Sequence, residues 1–95
     1  METTLIQKEE IKNLKFKKSD VLNESDKIHL RYDLLKQGEI LGNSYKHKLK
    51  IMFHSIEGSW MVYTTVWFVS EAYIQIKGGT IIPISAIENV IINTL

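Results

Sequence analysis

The chain has no cysteine, which removes disulfides, thiolate metal sites, redox centres and cysteine nucleophiles together. It also lacks long apolar runs: the longest is about four or five residues, far short of the roughly 18 that a membrane span needs. The opening METTLIQKEE carries acids where a secretory signal needs a basic stretch and a long apolar run, so a cytoplasmic location is the expectation. Nucleophile-elbow, Walker and dinucleotide glycine patterns are missing. No set of ligands has zinc-site spacing, and no carboxylate pair stands out for acid–base work. Asp20, Glu24, Asp26 and Asp33 read as caps and solvated charges. These absences together lead us to expect no catalysis, no cofactor and no metal.

What is present suits one folded domain over residues 1–95, since 44% of the residues are hydrophobic and 24% charged. The net charge of +1 is unevenly spread. Residues 1–50 hold eleven Lys/Arg against eight Asp/Glu, whereas residues 51–95 hold one against three. Interleaving of acids with bases in the first half reads as a solvated helical region, although a basic face could also draw anionic partners.

Residues 1–22 read as an arm or a short helix, with capping-box spacing at Thr4 and Gln7 and apolar positions at Leu5, Ile6, Ile11 and Leu14. Residues 26–41 predict an amphipathic helix from Ile28, Leu30, Leu34, Leu35 and Leu41. Ser25 or Asp26 would cap it, and Gly42-Asn43 would stop it. Beyond it the pattern turns to strands. Leu49, Ile51 and Phe53 alternate with Lys48, Lys50, Met52 and His54, and WMVYTTVWFV returns as a second strand. Tyr73–Lys77 is a third, Gly78-Gly79 a turn, and Thr80–Ile84 a fourth that ends or lies at an edge because Pro83 has no donor. The expected fold is α+β: one or two N-terminal helices, then a twisted four- to five-stranded antiparallel sheet curled into a small barrel over 45–92.

The run TIIPISAIENV, with a helical turn expected at Ser85–Ile87 between two apolar strands, resembles the closing strands of SH3-like and Sm-like small barrels. Gly42–Lys48, Thr64–Trp67 and Lys77–Val90 are similar to a GNxYKxK…TTVW…KGGxxIPI…I…V run in uncharacterised short cytosolic bacterial proteins. That likeness brings no activity with it. Tyr45-Lys46-His47 matches a triplet of the bacterial Sm-like RNA chaperones. In that family it lies near the end of the barrel, and here it precedes the first strand, so it assigns nothing.

A two-residue turn at Glu57-Gly58 would face Phe53 with Val62, Ile51 with Thr64 and Leu49 with Val66, an apolar inner face. The other face would pair His54 with Met61, Met52 with Tyr63, Lys50 with Thr65 and Lys48 with Trp67, the last a cation–π contact. A one-residue change in the turn is expected to exchange the faces. The mixed face could be covered by the 26–41 helix, meet a second copy or another protein, or receive single-stranded nucleic acid. Lys46, Lys48, Lys50, Met52, Tyr63 and Trp67 are the candidate binding residues. The expected function is a non-catalytic interaction module that self-associates or docks on another protein, through this face or an edge strand. A nucleic-acid-binding small barrel is the alternative.

Overall fold

A computed structural model describes residues 3–92. Its elements are β1 (Thr4–Leu5), a 3-10 helix (Lys8–Asn13), α1 (Ser25–Tyr45), β2 (Leu49–Ser55), β3 (Gly58–Thr64), β4 (Val66–Val69), β5 (Tyr73–Ile76), β6 (Ile81–Pro83), a 3-10 turn (Ile84–Ala86) and β7 (Ile87–Ile91). One sheet has the order β1-β3-β2-β7 and the other β4-β5-β6.

The α+β expectation stands in this arrangement, but the barrel does not, because neither sheet closes. The physical cause lies in the long second strand, which breaks at Thr65. Thr64, Thr65 and Val66 are all buried, so the two-residue alternation of a straight strand fails there. The chain turns a corner and pairs with β5 instead of continuing along β2. The N-terminal segment supplies the other surprise. The short helix expected within residues 1–22 is present only as a six-residue 3-10 helix, Lys8–Asn13, while Thr4 and Leu5 add a parallel strand beside Trp60 and Met61. The Ile56 amide donates to the Lys15 carbonyl, and the Val21 amide donates to the Ser85 carbonyl, so this stretch is bound along the sheet.

α1 extends four residues beyond the predicted 26–41. Glu24 takes the N-cap position with no side-chain bond, so neither Ser25 nor Asp26 caps the helix. Gly42 does not stop it. Gly38 and Gly42 lie one turn apart on the packing side: a Cβ at Gly38 would strike the Leu49 side chain, and one at Gly42 would strike the Val66 carbonyl. Both glycines allow close approach, and the left-handed stop falls on Lys46 at φ 55°.

The core joins Leu35 of α1 to Leu49, Ile51, Phe53, Val62, Val66, Ile74, Ile76, Ile82, Ile87 and Val90 from both sheets. Ile6 and Ile11 from the N-terminal segment belong to it as well. α1 packs chiefly against β4 and β7. Its side chains also close the open edge of β4: the Val69 amide donates to Glu39 Oε2 at 2.7 Å, and Asn43 Nδ2 donates to the Trp67 carbonyl at 3.1 Å.

Candidate functional site

The hairpin pairs Ser55 with Gly58, Phe53 with Trp60, Ile51 with Val62 and Leu49 with Thr64. The two loop residues are therefore Ile56 and Glu57, one position earlier than expected. Ser55 explains the choice, since its hydroxyl accepts the Glu57 amide at 3.1 Å and the Trp60 indole N–H at 2.9 Å. Gly58 then opens β3 with φ 153°. Moving both loop residues by one changes each cross-strand pairing by two positions, so side chains keep their faces and only their partners change. The expected exchange of faces does not occur: Leu49, Ile51 and Phe53 are fully buried.

On the outer face of the four-stranded sheet the rows run across strands. Leu5, Met61, Met52 and Asn89 make one row, and Tyr63, Lys50 and Ile91 the next. Met52 and Met61 are half-buried, while Leu5 and Tyr63 are 60% and 50% exposed. Lys48 places its ammonium 5.6 Å from the Tyr63 ring centroid. The expected cation–π partner was Trp67, but the bend at Thr65 carries Trp67 into β4 of the other sheet. Lys46, the α1 C-cap, stands outside these rows. Four predicted residues thus share one face, Lys48, Lys50, Met52 and Tyr63, and two do not, Lys46 and Trp67. The helix does not cover this face, because Gly38 docks on Leu49, whose side chain points the other way, and Gly42 on the Val66 carbonyl.

Leu5, Asn89 and Ile91 complete the face and were not expected there, whereas Met61 was expected on it, opposite His54. Met61 was legible from alternation within its strand. Leu5 was not, because a two-residue parallel strand leaves no periodicity to read.

At the hairpin end His54 joins three strands. Its Nδ1 lies 3.0 Å from Ser59 Oγ and its Nε2 2.5 Å from Glu88 Oε1. The chain is consistent with Ser59 donating to Nδ1 and the Nε2 proton pointing to the carboxylate. A cavity of about 470 Å³ opens beside it, lined by Lys17, His54, Ser55, Gly58 and Ser59 among others. Glu57, at the bend, has a carboxyl held below its ordinary value by the Ser55 hydroxyl and by the Lys15 amide that donates to it.

Arg31 is a second cluster that sequence reading missed. It is buried, it grips Asp20 with two bonds of 2.8 and 2.7 Å, and it donates to the Ile87 carbonyl at 3.0 Å. The bonds from the guanidinium hold the Asp20 carboxyl below its ordinary value. The available signal was compositional: Arg31 is the sole arginine in a chain that otherwise uses lysine.

Among the described residues no group of three or more His, Cys, Asp or Glu is placed to hold a metal ion. No helix among them is long and apolar enough to cross a membrane. Comparison with protein-family models, with curated proteins and with solved structures finds no match to this chain.

Proposed function

We propose that this chain is a non-catalytic docking module of the cytoplasm, which uses the outer face of the β1-β3-β2-β7 sheet to meet another protein or a second copy of itself. The supporting observation is the uncovered row Leu5, Met61 and Met52, bordered by Tyr63, Lys50 and Lys48. Apolar and aromatic side chains at the centre with cations at the margin match the anatomy of protein interfaces. Methionines suit such a surface because their unbranched side chains adapt to a partner.

Single-stranded nucleic acid is the second reading, favoured by the two lysines beside Tyr63. Against it, Lys48 already occupies one side of the Tyr63 ring, and a stacking base would have to displace it. The two readings respond differently to salt, since phosphate neutralisation makes affinity fall steeply with ionic strength. Labelled single-stranded RNA and DNA are titrated at low and moderate salt while the mass in solution is recorded for the wild type and Met52→Glu. Docking predicts no nucleic-acid binding at low salt. If the face joins two copies, the wild type gives a concentration-dependent mass that Met52→Glu reduces to monomer. Salt-sensitive RNA binding that Lys48→Ala weakens would replace the docking reading with the nucleic-acid one.

A further inference from the structure

The four strand edges are protected to different degrees. β1 has two residues, β6 has three and ends in Pro83, and β4 is closed by Glu39 and Asn43 of α1. β7 has five residues, no lysine and no proline. Its only charge, Glu88, is engaged by His54. Sheet proteins ordinarily blunt exposed edges with cations, proline, bulges or a covering element. In β7 the bulge opposite Met52 and Phe53 and the Arg31 guanidinium protect the first positions, and the stretch Asn89–Ile91 carries neither.

The register shows what that edge offers. A two-residue hairpin closes on a hydrogen-bonded pair, here Ser55–Gly58, so the backbone groups of Ile51 and Phe53 point to β3. Those of Lys50 and Met52 consequently point to β7, where they meet Ile91 and Asn89. Val90 lies between these two and turns its N–H and C=O to the open side. Its N–H is held by the neighbouring Asn89 Oδ1 at 2.9 Å, a local substitute for a strand partner. Among the described residues, no hydrogen bond reaches its carbonyl. Arg31 holds the Ile87 carbonyl and so guards only the first position.

Alongside runs a groove of about 360 Å³ between α1 and β7, lined by Leu22, Lys27, Leu30, Leu34, Asn89 and Val90 among others. Leu30 is 57% exposed although it sits in the middle of this lining. An open carbonyl at Val90, with its amide held only by the adjacent Asn89 side chain, beside an apolar wall fits an extended peptide, because an extended backbone can pair with the edge while sending alternate side chains into the groove. A second copy fits less well. Two β7 edges joined about a two-fold axis would keep both helices on the same side of the joined sheet, and each would contend for the groove the other fills.

We propose that β7 is the docking edge for an extended segment of a partner protein, which adds as a strand at Val90 and seats an apolar side chain against Leu22, Leu30 and Leu34. This surface borders the Met52 face at Asn89, but its apolar contacts, Leu22, Leu30 and Leu34, belong to the groove beside α1 and not to that face.

The test pans a phage library of random linear peptides, about ten residues long, against the full chain. Selected peptides are then measured by fluorescence anisotropy on the wild type, Leu30→Glu and Ile81→Glu. Hydrogen exchange of backbone amides is followed with and without peptide, a readout that needs no variant. We expect enriched sequences with a central apolar residue, slower exchange at Val90 and Ile92, and a loss of about tenfold or more in Leu30→Glu, as for a central contact residue. Ile81→Glu, an exposed position on β6 of the other sheet, should bind normally. Failure to enrich any sequence over an unrelated bait overturns the proposal. So does binding that Leu30→Glu spares, or a dimer that Leu30→Glu dissociates, which would give the edge to a second copy.

Discussion

Arg31 shows how one side chain can organise a small domain. Its guanidinium lies between α1, the segment at Asp20 and the first carbonyl of β7, so removing its counter-charge leaves a buried cation without a partner. Breaking a fully buried pair costs about 3–5 kcal/mol. Asp20 keeps 30% of its side chain exposed, so for Asp20→Asn we expect a smaller loss of about 2–3 kcal/mol at pH 7, measured by urea unfolding. The pH dependence has a definite sign. Asp20 is depressed in the folded state, so its contribution is complete above the ordinary carboxylate value and fades as pH falls toward the folded one. Wild type and Asp20→Asn should therefore converge in acid, and a gap that stays constant from pH 7 to pH 3 would count against the pairing. Asp20 reads from sequence as a cap or solvated charge because its partner is eleven residues away in a different element.

At the scale of elements, α1 illustrates what local patterns can and cannot convey. Its apolar spacing locates a helix, but the two glycines have opposite meanings in isolation and in the fold. Gly42 followed by Asn43 has the composition of a helix stop. Whether it stops the chain depends on what lies above it, and here that is the Val66 carbonyl with Thr65 Cγ2 at 2.9 Å from any added Cβ. Alanine would raise helix propensity by about 1 kcal/mol, yet it must force backbone apart, and overpacking of that kind costs about 1–3 kcal/mol. We expect Gly42→Ala to lower the thermal midpoint despite the gain in propensity, as followed by circular dichroism. A raised midpoint would mean that the helix seats less closely than described. The β2 strand is the converse case. Strict alternation made its buried and open faces readable, and that reading survived a displaced turn because face parity does not depend on which pair closes the loop.

For the whole molecule, the legible part is the sequence of strands and turns, from Gly78-Gly79 through Pro83 to the 3-10 turn before β7. Their assembly was not legible. The corner at Thr65 and the parallel addition of β1 both depend on contacts between segments far apart in the chain, which leave no local period. Residues 90–95, VIINTL, read as an uncharged β-prone stretch that could pair with a neighbouring subunit, and this expectation falls partly on 93–95, outside the described residues. Residues 1–22 prove the most misread, since Ile6 and Ile11 are core residues and Phe16 stacks 6.2 Å from Phe53. Each buried aliphatic side chain contributes about 1.5–3 kcal/mol against a typical total of about 5–15 kcal/mol. A chain beginning at Lys17 should therefore lose its cooperative thermal transition, and retention of a sharp melt would return that segment to the status of an arm.

Glu39 and Asn43 carry a consequence for how this molecule fails. They hold the Trp67–Val69 border by side chains alone, so a chain whose helix peels away while the sheets persist presents a bare β-branched and aromatic ribbon. Such a ribbon templates fibril growth. The form of this protein most exposed to aggregation is accordingly one with the helix detached and the sheets still formed.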